Sequence, residues 1–130
     1  MDPSETLRTK DLAREEPRPM DETLAGYAWL PRLIDKARAA DAGTLGDLVH
    51  PCAVDLRCLG LLGVEPLRFR AIASSAGTAA DVLAGLERAG ARSASAAWFD
   101  AVAFEEALMR GEHAESACSP SSPISTIKTF

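Results

Sequence analysis

Aromatic side chains are scarce in this sequence, at 5% of 130 residues. Any core must therefore be small and built mainly from aliphatic residues and alanine. Cysteine is also rare, and three unevenly spaced copies exclude a disulfide framework. No apolar run approaches the ~18 residues of a membrane span, and none at the N-terminus reads as a secretion signal. These absences together predict a cytoplasmic protein. Strand-like alternation and internal repeats are missing, which leaves helix as the main element. The phosphate-cradling, nucleophile-elbow, dinucleotide and zinc-protease signatures are absent as well. A formal charge of −5 argues against a chain-wide nucleic-acid surface, so a nucleic-acid partner is not expected.

What is present is apolar, at 47%, and rich in alanine and leucine, the strongest helix formers. The expected fold is all-α: one compact domain of about five helices over residues 11–110. Disordered tails are expected at 1–10 and 111–130. Leu12 is expected to anchor an extended arm that follows the first tail. The charge is uneven. Residues 1–25 and 77–113 each carry −3, whereas residues 26–76 carry +1, so the middle third is where an anion would find a site.

The middle third opens on Gly26-Tyr27-Ala28-Trp29-Leu30. A short helical turn is expected somewhere in residues 21–30. Tyr27 and Trp29 would share a face only in extended chain, as lids on the core or as a stacking platform. Pro31 suits a first helical turn. From it a helix runs to about Asp41, with Gly43 as the left-handed residue that follows. Leu30, Leu33, Ile34 and Ala37 make its apolar stripe, leaving Arg32, Lys36 and Ala39 on the opposite face. Asp35 and Arg38 are one turn apart and can pair, for about 0.2–0.5 kcal/mol if exposed. Burial of Leu33 and Ile34 is worth roughly 1.5–3 kcal/mol each, so packing holds this helix and its charges are free for other work.

Residues 43–52 form a loop. Residues 53–63 are apolar on nearly every side and predict a central, buried helix. Asp55 sits in its first turn, complementing the helix dipole, and Gly63 and Val64 close it. Pro66 opens a helix over 66–76 with Phe69, Ile72, Ala73 and Ala76 inward. Thr78 and Asp81 form a capping box for a helix to about Ala89. Ser93 or Ser95 starts a last helix through Met109.

One family resemblance rests on particular residues. Asp11-Leu12, Pro17-Arg18, Leu24-Ala25-Gly26-Tyr27, the block Leu30 to Ala39, and Ala42-Gly43-Thr44-Leu45-Gly46 carry it. Cys52, Asp55, Arg57, Leu59 and Gly63-Val64 continue the pattern. Over residues 10–109 the chain resembles an uncharacterised bacterial family, the domain of unknown function 5069 family. That resemblance implies a small helical protein and supplies no reaction and no ligand.

The candidate site is the charged cluster Arg32, Asp35, Lys36, Arg38, Asp55 and Arg57, with Tyr27 and Trp29 beside it. Arginine recognises carboxylate or phosphate in bidentate fashion, and aspartate can orient it. The same residues also read as a structural ion network. His50, Cys52 and Cys58 are too few for a zinc site, so no metal and no cofactor is expected; they read instead as a buried thiol pair and a surface imidazole. A Cys–His nucleophile pair lacks an evident orienting partner. The leading functional expectation is a non-enzymatic binding or regulatory domain for a small anion or a protein partner. The alternatives are a small enzyme with Asp35 or Asp55 as general base, and a helix-turn-helix DNA reader over residues 53–76 with Arg68 and Arg70 early in its second helix.

Overall fold

A computed structural model describes residues 1–97, with side chains to residue 95. The expected helix body at Trp98–Met109 and the tail from 111 lie outside the described residues.

The chain begins as an extended arm rather than a free tail. Leu7 N–H donates to Gly77 O at 2.9 Å, and Ala79 and Ala80 N–H donate to Glu5 and Pro3 O at 3.0 and 2.7 Å. Thr6 and Thr78 form an isolated antiparallel bridge. Composition suggested mobility here because the arm has few apolar residues. Its order comes from main-chain bonds that composition does not show. Further on, Leu12 is buried as expected. Leu12 N–H donates to Thr44 O at 2.8 Å, and Thr44 Oγ1 donates to Lys10 O at 2.7 Å. Gly46 has a φ of 62°, and a Cβ there would stand 2.7 Å from the Ala13 backbone. The Gly-Thr-Leu-Gly loop is thus the seat of the arm.

Two short strands follow, β1 (Thr23–Leu24) and β2 (Tyr27–Ala28), paired antiparallel with Leu24 opposite Tyr27. Ala25 and Gly26 connect them at φ 50° and 86°. Positive φ at both central residues is the geometry of a tight hairpin whose twist matches its strands. This hairpin replaces the expected helical turn and corrects the all-α reading: the described residues are mainly helical, with one small sheet. The signal was weak because the Ala-Gly turn lacks the usual asparagine or aspartate.

Four full helices complete the described body. α1 spans Leu30–Ala42, α2 Ala53–Leu62, α3 Pro66–Ser75 and α4 Ala79–Arg88. A short piece, α5, covers Ala94–Ala97. Their ends follow the local rules. Gly43 and Gly63 are left-handed at φ 75° and 77°, and Val64 N–H reaches back to Leu59 O at 3.2 Å. Thr78 and Asp81 close a reciprocal capping box on α4.

α1 is the central element. It packs chiefly on α3, with β1 on another side, while α3 also meets α4 and α2. Leu30, Leu33, Ile34 and Ala37 are fully buried, as their stripe predicts, but so is Lys36, and Arg32 and Asp35 nearly so. The expected solvent-facing side of this helix therefore does not exist. α2, expected to be buried all round, turns Leu56, Arg57 and Gly60 to solvent. Phe69, Ala73, Val82 and Leu86 extend the core between α3 and α4.

Candidate functional site

The charged cluster resolves into separate groups, each assembled by a different part of the chain. The innermost is centred on Asp55, fully buried at the start of α2. Lys36 Nζ on α1, also fully buried, lies 2.8 Å from Asp55 Oδ2. The same oxygen accepts Cys52 N–H at 3.0 Å, closing the first turn of α2 from its own N3 position. His50 Nδ1 stands 3.0 Å from it. Asp55 Oδ1 accepts Trp29 Nε1 at 3.2 Å. Burial pushes the Asp55 carboxyl up, but the His50 hydrogen bond and the Lys36 ammonium outweigh it and hold it down at about 2.

Trp29 reaches this group from an unusual backbone. It precedes α1 at a φ of 71°, which is rare for a bulky residue and costs on the order of 1–3 kcal/mol. The bond to Asp55, complete burial of the ring and Arg32 stacked 5.6 Å from its centroid hold it there.

An ionised carboxylate only accepts, so Nδ1 of His50 carries its proton. Nε2 is buried with no hydrogen-bond partner among the described residues. The His50 side chain is 2% exposed. Asp55 is thus the orienting partner that spacing alone did not reveal for this histidine. The imidazole, expected at the surface, is interior. Cys58 is a free buried thiol whose pKa burial pushes up, whereas Cys52 is disulfide-bonded, so the expected thiol pair is one thiol.

The second group gathers on Asp35. Its Oδ2 accepts Lys10 Nζ at 2.9 Å and Arg18 N–H at 2.8 Å, both from the arm. Arg32 donates to Arg18 O at 3.2 Å. Arg18 in turn pairs with Glu5 and Glu22. Asp35 and Arg38 do not pair with each other as expected. Arg38 instead donates to Ala73 and Ala76 O at 2.7 and 2.9 Å, placing its cation at the negative end of α3. Arg57 is exposed on α2, and Tyr27 closes the hairpin end by donating to Arg92 O at 2.6 Å.

The eight candidates therefore divide. Trp29, Lys36 and Asp55 meet directly; Arg32 and Asp35 join the arm; Arg38, Arg57 and Tyr27 stand apart. Lys10, Arg18 and His50 are the partners that sequence reasoning missed. All three lie in irregular segments, where helical periodicity gives no information about facing. Among the described residues, no three His, Cys, Asp or Glu side chains gather as a metal site, and no helix is long and apolar enough to cross a membrane.

Two shallow surface concavities among the described residues lie elsewhere. One of about 250 Å³ separates α3 from α4, lined by Ile72, Ser75, Asp81, Gly85 and Arg88 among others. The other, of about 300 Å³, lies where α2 turns into α3, lined by Leu56, Leu59, Gly60 and the turn from Gly63 to Pro66, Glu65 included. Leu56, in this lining, is 39% exposed, and Leu67, next in sequence to Pro66, is 78% exposed. Gly60 and Gly63 leave open space where a Cβ would stand.

A family model described as "Domain of unknown function (DUF5069)" matches residues 14–117. No curated protein matches the chain.

Proposed function

This chain belongs to the DUF5069 family, whose description names no activity, and we propose from its geometry that it is a non-enzymatic binding domain that docks a protein partner. The carrying observation is a pair of exposed leucines on α2 and α3: Leu56, which lines an apolar concavity, and Leu67, 78% exposed and next in sequence to its lining residue Pro66. Single exposed leucines are ordinary, and we take these two, with the apolar concavity between α2 and α3, as the place where a partner would dock. The Arg/Asp cluster supports the same reading from the other direction. Arg57 apart, its charges are engaged by one another, by the N-terminal arm, by His50 and by backbone carbonyls, so they brace the scaffold. Asp55, held at about 2 and engaged by four donors, is a poor general base. Asp35 is occupied by Lys10 and Arg18. Of the two arginines suited to a DNA-reading helix, Arg70 lies 3.5 Å from Asp41.

A displayed library of amphipathic helical peptides, selected against the full chain, tests this. Selected peptides are expected to lose binding to Leu67→Lys and to keep it to Arg57→Ala. Peptides indifferent to Leu67→Lys, or a library that yields no binder, would overturn the assignment.

A further inference from the structure

The concavity between α3 and α4 carries opposite charges with an apolar stretch between them. On α4 its lining is Asp81, Ala84, Gly85 and Arg88. These stand at i, i+3, i+4 and i+7, so they form one stripe along the helix. Ile72, Ser75 and Ala76 line it from the end of α3. Gly85 lets the two helices close on each other, since a Cβ there would stand 2.7 Å from Ile72 Cγ2. α3 ends at Ser75 and α4 starts at Ala79, so Ser75 and Asp81 share the end nearest the turn. Arg88 stands about 10 Å further along the α4 axis. Long side chains on a helix lean toward its start, so an arginine spans part of that rise.

Asp81 and Arg88 do not neutralise each other. Helical ion pairs form at three or four residues, and these two are seven apart. Asp81 Oδ2 accepts the Gly77 and Thr78 N–H groups at 3.2 and 3.0 Å, and Oδ1 takes no hydrogen bond among the described residues. Arg88 is exposed and makes neither a hydrogen bond nor an ion pair among the described residues. Ser75 Oγ donates to Ala71 O at 2.8 Å, which leaves its lone pairs able to accept. A cation thus finds acceptors at one end, and an anion finds a guanidinium fork at the other. An ion of one sign would satisfy one end only; a zwitterion satisfies both. The volume, about 250 Å³, lies below the usual range of drug-sized sites and suits a molecule of amino-acid size. Between the charges, Ile72, Ala76, Ala84 and Gly85 offer an apolar surface. We infer that this concavity binds a free aliphatic α-amino acid, its ammonium on Asp81 and Ser75 and its carboxylate on Arg88. The site shares no lining residue with the α2–α3 concavity and does not depend on docking there.

Titration of the isotope-labelled full chain with L-leucine, followed by amide chemical shifts, tests this. Saturable shifts are expected at Ser75, Ala76, Ala84, Gly85 and Arg88, with a Kd on the order of 1 mM for so small and open a site. N-acetyl-L-leucine lacks the ammonium and L-leucinamide lacks the carboxylate; each is expected to bind at least tenfold more weakly. Two variants remove the charges from the protein side. Arg88→Gln alters an exposed side chain, and Asp81→Asn keeps an oxygen for the capping bonds. Each is expected to weaken L-leucine binding at least tenfold while the rest of the amide spectrum stays in place. Leu67→Lys is expected to leave L-leucine binding intact, so this site and the docking face stand or fall separately. Absence of saturable shifts up to about 20 mM L-leucine, well past that Kd, would overturn the assignment. So would equal binding of all three ligands, an Arg88→Gln chain that binds like the parent, or loss of binding in Leu67→Lys.

Discussion

α1 and α2 exchange the roles that their compositions suggest. α1 carries Arg32, Asp35, Lys36, Arg38 and Asp41, yet Lys36 is fully buried and Arg32 and Asp35 nearly so. α2 has only Asp55 and Arg57 among eight uncharged residues, yet it turns Leu56 and Gly60 to solvent. The difference lies in what arrives from elsewhere in the chain. Lys10 and Arg18 come to Asp35 from the arm; Asp55 comes to Lys36 from the next helix. A charge is buried where a partner is delivered to it, and an apolar residue is exposed where nothing within the described chain covers it. Polarity along a helix thus describes what the helix needs, and the neighbours decide whether the need is met.

The sharpest way to break this comparison is to strand one charge under α1. Lys36→Met leaves Asp55 buried without its ammonium and is expected to cost about 3–5 kcal/mol in urea unfolding. Combining it with Asp55→Asn should cost less than the two single losses added, with a coupling of roughly 0.5–3 kcal/mol. Strict additivity would show that the two do not act as a pair.

Acid tests the same contact without mutation. Asp55 is depressed to about 2 in the folded chain and titrates near ~3.9 when unfolded. Its contribution is therefore complete above the unfolded value and is lost as the pH falls from about 4 through 2. The loss is on the order of 2 kcal/mol, and Asp55→Asn should flatten that part of the profile. An unchanged slope in Asp55→Asn would assign the acid sensitivity to other carboxylates.

Trp29→Phe keeps most of the ring and removes the donor to Asp55 Oδ1. A loss of about 1–3 kcal/mol is expected, since a buried acceptor is left short of a partner. A loss within error would mean that the indole bond does not help to hold the left-handed turn.

The smallest effects belong to the outer face of α2 and α3. Leu67→Lys is expected to change the unfolding free energy by no more than about 0.5 kcal/mol. Gly60→Ala should raise it by up to about 1 kcal/mol. Destabilisation by either would mean that this face is packed within the chain.

How much of this was legible follows from the kind of signal. Pro31, Gly43, Pro66, Gly63 and the Thr78–Asp81 box placed the helix ends because their causes are local. The inward stripe of α1 was legible for the same reason. The hairpin was not, since four strand residues leave no period to read. Nor was the division of the charged cluster. Asp35 with Arg38 looked like a pair at helical spacing, but each found a better partner 17 to 38 residues away. His50 read as a surface residue because only the fold brings Asp55 to its Nδ1.

The arm that lies across the start of α4 sets an order of events in time. Pro3 and Glu5 accept the first amides of α4, and Leu7 donates to the turn before it. These contacts span 70 to 77 residues, and no local step can form them early. During synthesis the arm leaves the ribosome long before residues 77–80 exist to receive it. The arm, made well before α4, is thus among the later segments to be fixed, and until α4 has emerged the main-chain groups of Pro3, Glu5 and Leu7 remain hydrogen-bonded to water.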